Sequence, residues 1–254
     1  MQLFIAKNKK FGDKIAFEVI KKQIIAKPDS LIGFAVGKTT DGLHELISKD
    51  VLNYPKHWKK IKIFQIDENL GVNPKSPLSF NNEIKKELKN LFKVVNPKNV
   101  CLIDGTKNPK TTIQEGNKFI KQNKGIDLII LGLGPKYDPH IAYNTTGKSS
   151  IGSKMRVIKL HSKISKKLHE NIGRSLLQQA STSRQTPTHG ITLGIRDILD
   201  TKKALLIVYG KDKAKPLKLV LKKVNMKKAS ASALLLHKDL YIVIDRDASK
   251  LLKG

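Results

Sequence analysis

Short apolar blocks rich in Ile, Val and Leu alternate with longer amphipathic stretches along this chain. Such blocks are typical of strands buried on both faces of a sheet, and the stretches between them show helical spacing. The pattern predicts an α/β fold, namely a three-layer αβα sandwich with a mostly parallel, Rossmann-like central sheet. The predicted strands are Leu31–Val36, Ile61–Ile66, Val100–Ile103, Leu128–Leu133, Arg156–Leu160, Ala204–Val208 and Leu240–Ile244. The predicted helices are Lys14–Ala26, Thr40–Ser48, Asn82–Phe92, Thr112–Gln122, Ile191–Leu199 and Lys211–Val224.

One polar stretch, residues 161–189, interrupts this alternation. It is either an ordinary surface helix with a loop or a mobile lid over a site. No linker, repeat or break in composition divides the chain, so we expect one domain over residues 1–254. No apolar run reaches the roughly 20 residues that a membrane span needs, and Met1–Ala6 is too short for a signal-peptide core. We therefore expect a cytoplasmic protein without a membrane partner.

The charge is strongly positive, with 49 Lys and Arg against 21 Asp and Glu and a formal net charge of +28. A surplus of this size attracts phosphates, nucleic acids and anionic membranes. Only five of the basic residues are arginines, however, whereas specific phosphate and base recognition favours the guanidinium group. The lysines are spread through most segments, which favours a solvated surface and leaves nucleic-acid binding as the minority interpretation. The single cysteine, Cys101, excludes an internal disulfide.

Ligands of open α/β sheets bind at the carboxyl ends of strands, so the residues just after each predicted strand are the first candidates for chemistry. After the first strand come Gly37, Lys38 and Thr39, which supply a glycine, a cation and a hydroxyl at a strand-to-helix turn. Such a turn can hold a phosphate, although a threonine there more commonly only caps the helix. Lys213, between a later strand and helix, and Arg174, in the polar stretch, are either anion ligands or plain surface cations.

Two further clusters follow predicted strands and carry acid–base groups. Asp67 and Glu68 follow the second strand, where a shielded carboxylate is either a general base or a helix cap or salt-bridge partner. Asp138 and His140 follow the glycine-rich end of the fourth strand. A histidine titrates near neutral pH, and this context favours a catalytic role over a structural one. The other histidines show no metal-ligand spacing, so we expect no metal.

The order of the motifs is more specific than any one of them. In this order they resemble the glucosamine-6-phosphate deaminase family, also named isomerase, and more distantly its 6-phosphogluconolactonase relatives. The resemblance covers nearly the whole chain. The matching blocks are Gly33–Thr39, Ile66–Glu68, Gly125–Gly134, Asp138–Asn144, Thr192–Asp200, Gly210–Ala214 and Ala231–His237.

The resemblance implies a hydrolase or isomerase that converts glucosamine 6-phosphate and water to fructose 6-phosphate and ammonia, without a cofactor. Asp67 would move a proton between C2 and C1 of the opened sugar, His140 would assist ring opening, and Asp138 would fix the tautomer of His140. The implied partner is a small phosphorylated sugar, and a homo-oligomer is left open. The implied phosphate ligands are Gly37, Lys38, Thr39, Arg174 and Lys213.

The chain departs from the family at Thr145, which stands where the family has a glutamate that tunes the histidine. A threonine can hydrogen-bond an imidazole but cannot stabilise imidazolium as a charge does. A working deaminase or isomerase ranks first because Asp67, Asp138 and His140 are present, and a non-catalytic sugar-phosphate-binding or regulatory protein is the alternative. A lactonase ranks lower because Asn69 stands where an arginine would follow Asp-Glu. A nucleic-acid module ranks last, since no helix-turn-helix, aromatic platform or arginine cluster accompanies the charge.

Overall fold

The central sheet has seven strands, all parallel, in the computed structural model, which describes residues 1–166 and 187–252. Its strands are β1 (Gln2–Ala6), β2 (Leu31–Phe34), β3 (Lys62–Gln65), β5 (Val100–Cys101), β6 (Leu128–Gly132), β9 (Ala204–Val208) and β10 (Leu240–Asp245). They lie in the order β1-β10-β9-β6-β2-β3-β5. The strand order runs outward in opposite directions from the neighbours β2 and β6, which is where open α/β sheets bind their ligands. The predicted parallel α/β sheet is confirmed.

Helices cover both faces of this sheet. They are α1 (Lys9–Ala26), α2 (Asp41–Asn53), α3 (Pro55–Trp58), α4 (Phe80–Glu87), α5 (Lys89–Val94), α6 (Pro109–Gln122), α7 (Ile195–Leu199), α8 (Ala214–Lys222) and α9 (Arg246–Ser249). Residues of β6 point alternately to the two layers. Leu128 and Ile130 pack with α1, α2 and Trp58, whereas Ile129 and Leu131 pack with residues of α7 and α8. The result is the expected three-layer sandwich.

A second, antiparallel sheet of three strands lies beside the central one. Its strands are β4 (Asp67–Asn69), β7 (Arg156–Lys159) and β8 (His189–Thr192), with β8 in the middle. Thr192 pairs with Asp67 on one side and with Arg156 on the other. This register fixes Asp67 at a junction between the two sheets.

The predicted helix over Ile191–Leu199 is wrong in its first half. Residues 189–192 form strand β8, and only Ile195–Leu199 is helical. The chain changes from strand to helix near Gly194. It passes so close to Ser153 there that a β-carbon on Gly194 would lie 2.0 Å from the Ser153 carbonyl oxygen. Asp197 then accepts a hydrogen bond from the Gly194 amide and starts α7 there. The predicted strand Arg156–Leu160 exists, but it belongs to the second sheet and not to the central one.

Other differences concern the boundaries and edges of elements. Strand β1 was not predicted; it pairs with β10 at one edge of the central sheet. The predicted helix Asn82–Phe92 is two helices that meet at Leu88. The predicted helix Lys211–Val224 begins as a 3₁₀ turn, Lys211–Lys213. Among the described helices, none has the length and apolar character required to span a membrane.

Candidate active site

A cavity of about 180 Å³ lies at the carboxyl ends of β2 and β6. This volume far exceeds the roughly 10–15 Å³ that one water molecule needs, so a small organic molecule can enter. The polar part of its lining comes from Gly37–Thr39, Asp67 and His140, and Phe80 and Tyr143 add aromatic surface. Three motifs that are far apart in the sequence therefore meet at one cavity.

The loop between β2 and α2 forms one wall of the cavity. Gly37 has a φ of +124°, in the region that favours glycine. The Thr40 amide and hydroxyl both donate to the Gly37 carbonyl, at 2.9 and 3.1 Å. The hydroxyl of Thr40 thus closes the turn and does not cap α2. Lys38 is exposed at the tip of the turn, beside the positive N-terminal end of a 13-residue helix.

A carboxylate in the first turn of α2 would oppose an anion at this loop, but it is paired. The Lys9 ammonium lies 2.7 Å from Asp41 and 2.9 Å from Asp13. Lys9 thereby joins the N-terminal turns of α1 and α2 and offsets part of the negative charge of Asp41 and Asp13.

Asp67 is the first residue of β4 and is only 7% exposed. None of the described residues donates a hydrogen bond to its carboxyl group; burial raises the pKa of Asp67 to about 8, with further contributions from the charges of Glu68 and Glu83. A carboxylate whose pKa lies close to neutral pH is a stronger base than an ordinary aspartate. The environment of Asp67 therefore suits proton abstraction.

Glu68, its neighbour, has the helix-capping role that the sequence left open for this pair of carboxylates. Its buried carboxylate accepts five hydrogen bonds, at 2.8 to 3.1 Å, two of them from the first amides of α4. These bonds fix the start of α4 and with it Phe80 in the cavity wall. No local signal in the sequence connects Glu68 to residues more than ten positions away. The donors are Gln65, Asn69, Ser79, Phe80 and Asn81.

Asp138 and His140 form a hydrogen-bonded pair at the cavity. Nδ1 of His140 lies 2.9 Å from Oδ2 of Asp138, which is fully buried, and the Thr146 amide donates to Oδ1 at 2.8 Å. Burial by itself would raise the pKa of Asp138, but the hydrogen bond and charge of His140 and the bonds from Thr146 outweigh it, and the pKa is lowered. A carboxylate on Nδ1 leaves Nε2 as the nitrogen with a free lone pair in the neutral ring.

The glycine-rich end of β6 makes room for this pair. A β-carbon on Gly134 would lie 2.5 Å from the Asp138 carbonyl oxygen and 2.8 Å from the imidazole of His140. The Gly134 amide also donates to the His140 carbonyl at 2.8 Å. Only glycine permits so close a packing of the two chain segments.

Two of the predicted phosphate ligands, Lys213 and Arg174, are not among the described residues that line the cavity. Nζ of Lys213 donates to the carbonyl oxygens of Leu133 and Gly134, at 2.8 and 3.1 Å, and so ties the start of its own helix to the glycine-rich turn. Lys213 does not line the cavity. Arg174 lies outside the described residues, as does most of the predicted lid, 161–189.

Tyr143 is a cavity residue that the sequence did not single out. Its hydroxyl donates to Oδ1 of Asn69 at 2.8 Å, and Nδ2 of Asn69 donates to the Leu78 carbonyl at 2.8 Å. Tyr143 thus ties its own loop to strand β4, which carries Asp67. The one feature of the sequence that could have pointed to Tyr143 is its position three residues after His140.

Comparison of the sequence with known protein families shows to which family the chain belongs. The model described as glucosamine-6-phosphate isomerases/6-phosphogluconolactonase matches residues 10–149, more than half of the 254 residues. The chain belongs to this isomerase and lactonase family. Relatives include a glucosamine-6-phosphate deaminase of Clostridium botulinum (strain Langeland), 31% identical over 257 residues that cover 100% of this chain and 99% of that protein. A glucosamine-6-phosphate deaminase of Thermoanaerobacter sp. (strain X514) is 30% identical over 255 residues, covering 99% of this chain and 95% of that protein.

Solved structures of the same family share the fold. A monomeric glucosamine-6-phosphate deaminase superposes with a TM-score of 0.86 at 23% identity, covering 99% of this chain and 100% of that one. The 6-phosphogluconolactonase of Trypanosoma cruzi superposes with a TM-score of 0.78 at 17% identity, covering 100% and 97%. The relatives named deaminase group the chain with enzymes of the isomerase/deaminase family, and the lactonases are more distant.

Among the hydrogen bonds of the described residues, none joins His140 to the side chain of Thr145, the position where the resemblance implies a glutamate. Thr145 is 3% exposed, and its hydroxyl donates to the Tyr143 carbonyl at a long 3.5 Å. The partner of the imidazole is Asp138 alone among the described side chains.

Proposed function

We propose that this protein is a glucosamine-6-phosphate deaminase, which converts glucosamine 6-phosphate and water to fructose 6-phosphate and ammonia. One observation carries the proposal. A shielded carboxylate, Asp67, and a carboxylate-bound histidine, His140, line the same cavity as the Gly37–Thr39 loop. The names of the deaminase relatives support the choice of substrate.

The phosphate of the substrate binds at the Gly37–Thr39 loop. Lys38 supplies the charge, and the N-terminal end of α2 adds its dipole. Anchoring the phosphate there holds the sugar carbons over Asp67 and His140, which converts proton transfer into a reaction between fixed groups. We also assign Arg174 and Lys213 to the phosphate, as the family resemblance implies.

His140 opens the sugar ring. Because Asp138 binds Nδ1, Nε2 of the neutral imidazole can exchange a proton with the ring oxygen O5 or the O1 hydroxyl, which are the atoms that gain and lose a proton on opening. The negative charge of Asp138 stabilises the imidazolium that forms transiently.

Asp67 then moves a proton along the opened chain. The ionised carboxylate removes the proton from C2, the electron pair forms the C1–C2 double bond, and the carbonyl electron pair moves to O1, which takes a proton from solvent to give the enol. Asp67 then returns the proton to C1 as the nitrogen lone pair forms the C2–N double bond, and the iminium that results gives the solvent proton back. The product is an imine at C2. Water adds to this imine, the C–N bond breaks, and ammonia leaves as fructose 6-phosphate forms. The reaction as written needs no oxidant and no cofactor. Its two reactants are glucosamine 6-phosphate and water.

The test is a direct assay of ammonia. Purified protein mixed with glucosamine 6-phosphate is expected to release ammonia and fructose 6-phosphate, and Asp67→Asn is expected to stop the release while it keeps the thermal shift that fructose 6-phosphate gives. A thermal shift without turnover would favour the alternative, a non-catalytic sugar-phosphate-binding protein, which the missing charge at Thr145 supports. Opening of 6-phosphogluconolactone without deamination would favour the lactonase. We propose the cytoplasm as its site of action, because its substrate is a phosphorylated sugar.

A further inference from the structure

A lysine at the start of α1 contacts the first turn of α2, the helix that follows the Gly37–Thr39 loop. Nζ of Lys9 lies 2.7 Å from Oδ1 of Asp41 on α2, and 2.9 Å from Oδ2 of Asp13, one turn further along α1. Asp41 directly follows Thr40, which lines the cavity. The three charged residues, all of them described, do not line the cavity themselves. They adjoin the proposed phosphate site and are not part of it.

The carboxylate of Asp41 lies at the same helix end that would attract a phosphate. Oδ1 of Asp41 accepts a hydrogen bond at 2.5 Å from the amide of Gly42, one of the first amides of α2. The first amides of a helix have no carbonyl partner within the helix, and they carry the positive end of its dipole, which favours an anion. Asp41 is itself such an anion. Its charge therefore repels a phosphate that binds at the loop before it.

Lys9 reduces this repulsion because its ammonium binds the same oxygen of Asp41. Among the ion pairs of the described residues, Lys9 is the only cation that Asp41 contacts. The Asp41 side chain is 54% exposed, so water and salt screen its field in part. A phosphate at the loop lies within the distance over which charges still interact at low ionic strength.

Packing holds the ammonium of Lys9 in this place. Nζ lies 5.5 Å from the centre of the Tyr209 ring, at the end of β9. A β-carbon on Gly42 would lie 2.9 Å from Nζ of Lys9 and 2.2 Å from Oδ2 of Asp13, so the absence of a side chain there lets α1 and α2 meet. An ammonium that is already held on several sides loses less freedom on pairing with Asp41 than a free surface lysine does.

We propose that Lys9 is a positioning residue for the substrate phosphate: by binding Asp41 it lowers the repulsion between that carboxylate and a phosphate held at the Gly37–Thr39 loop. This inference rests on the proposed phosphate site at that loop. Lys9 acts through Asp41, so its contribution is to binding and not to the chemical steps at Asp67 and His140. A purely structural role of Lys9, joining α1 to α2, would not depend on the charge of Asp41.

The first test measures the Kd of fructose 6-phosphate by isothermal titration calorimetry, which requires no turnover. Lys9→Met is expected to raise the Kd by about 3- to 10-fold at low ionic strength, because Asp41 then faces the phosphate without its counter-charge. This increase is expected to shrink in about 0.5 M KCl, where charges are screened over shorter distances. Lys10→Met removes the same charge from the exposed neighbouring position of α1 and is the matched control, expected to change the Kd by less than about 2-fold.

The second test removes the charge of Asp41. Asp41→Asn keeps an oxygen that can accept from the Gly42 amide, so Lys9→Met combined with Asp41→Asn is expected to bind fructose 6-phosphate at least as tightly as the wild type. Asp41→Asn alone leaves Lys9 in place and is expected to lower the Kd by about 2- to 5-fold, a comparison that does not require Lys9→Met to fold. A wild-type Kd in Lys9→Met, a double variant as weak as Lys9→Met, or an equal or higher Kd in Asp41→Asn overturns the inference.

Ammonia release separates this inference from the proposed function. In Lys9→Met the KM for glucosamine 6-phosphate is expected to rise with the Kd, while kcat stays within about 2-fold of the wild type. If the wild type binds fructose 6-phosphate but releases no ammonia, the proposed function fails and the Kd values still decide the role of Lys9. If the wild type releases ammonia and Lys9→Met keeps its KM, the inference fails and the proposed function stands. A wild type that binds no sugar phosphate contradicts both.

Discussion

Nδ1 of His140 and Oδ2 of Asp138 lie 2.9 Å apart, and the carboxylate is fully buried behind the ring. The ring lines the cavity while the carboxylate does not. This arrangement leaves the other imidazole nitrogen, Nε2, without a protein partner among the described residues and places a negative charge beside the ring. Under the proposed function, His140 is therefore prepared for proton exchange before the substrate binds.

Asp138→Asn is expected to lower kcat by about 10²- to 10⁴-fold, because an amide neither stabilises imidazolium nor selects the same tautomer. Steady-state ammonia release at saturating glucosamine 6-phosphate measures the effect. Asp247→Asn changes an exposed aspartate on α9 and serves as the control. A folded Asp138→Asn protein with wild-type kcat would show that the pair has no catalytic task.

Lys38→Ala is expected to raise KM by about 10- to 100-fold, the loss of one charge-assisted hydrogen bond to the phosphate. The value of kcat should change far less, because the interaction is the same in the ground state and the transition state. Lys118→Ala removes an exposed lysine of α6, which does not line the cavity. Equal KM values for the two variants would contradict the proposal that the Gly37–Thr39 loop binds the phosphate.

Thr145→Glu is expected to raise kcat, because a second carboxylate near His140 stabilises imidazolium during ring opening. Thr145→Gln has the same shape without the charge and is not expected to do so. The comparison of the two variants by ammonia release isolates the charge. An equal response of both would mean that Thr145 does not limit the reaction.

Asp127 makes a testable contribution to stability. Its carboxylate is 1% exposed, lies 2.6 Å from both Lys27 and Lys202, and accepts a bond from the Leu31 amide at 2.8 Å. Burial by itself would raise the pKa of Asp127, but the bonds from Lys202, Lys27 and Leu31 outweigh it, and the pKa is lowered. A lowered pKa stabilises the folded state above the unfolded value of about 3.9, and this stability is lost as the pH falls through the folded value.

Asp127→Asn is accordingly expected to reduce the free energy of unfolding by about 2 kcal/mol at pH 7. The difference from the wild type should shrink below about pH 4, where the wild-type carboxylate also becomes neutral. Denaturant titrations of both proteins at pH 7 and at low pH measure this difference in the free energy of unfolding. A difference that stays constant with pH would contradict the ion-pair account.

The central sheet could be predicted because its strands are buried on both faces and read as unbroken apolar blocks, as Leu128–Leu131 does. Strand β4 could not, since Asp67, Glu68 and Asn69 are all polar and their burial depends on partners distant in the chain. The sequence predicts a helix where strand β8 lies, because Thr192 and its neighbours are followed directly by helical residues. Only the close packing at Gly194 separates the strand from the helix.

The candidate site was predictable where strand ends carry recognisable groups. The structure brings Lys38, Asp67 and His140 to one cavity and pairs His140 with Asp138. The contacts of Glu68 and Tyr143 join side chains across elements, and no spacing in the sequence encodes such contacts.

The measurement that tests the central claim most directly follows the C2 proton of the substrate. Glucosamine 6-phosphate deuterated at C2 is mixed with the wild-type protein and with Asp67→Asn, and ammonia and the label at C1 of fructose 6-phosphate are measured together. We expect the wild type to release ammonia with a primary isotope effect and to deliver part of the label to C1, and Asp67→Asn to do neither. Ammonia release by Asp67→Asn at the wild-type rate, or no release by the wild type at any pH, would contradict the account.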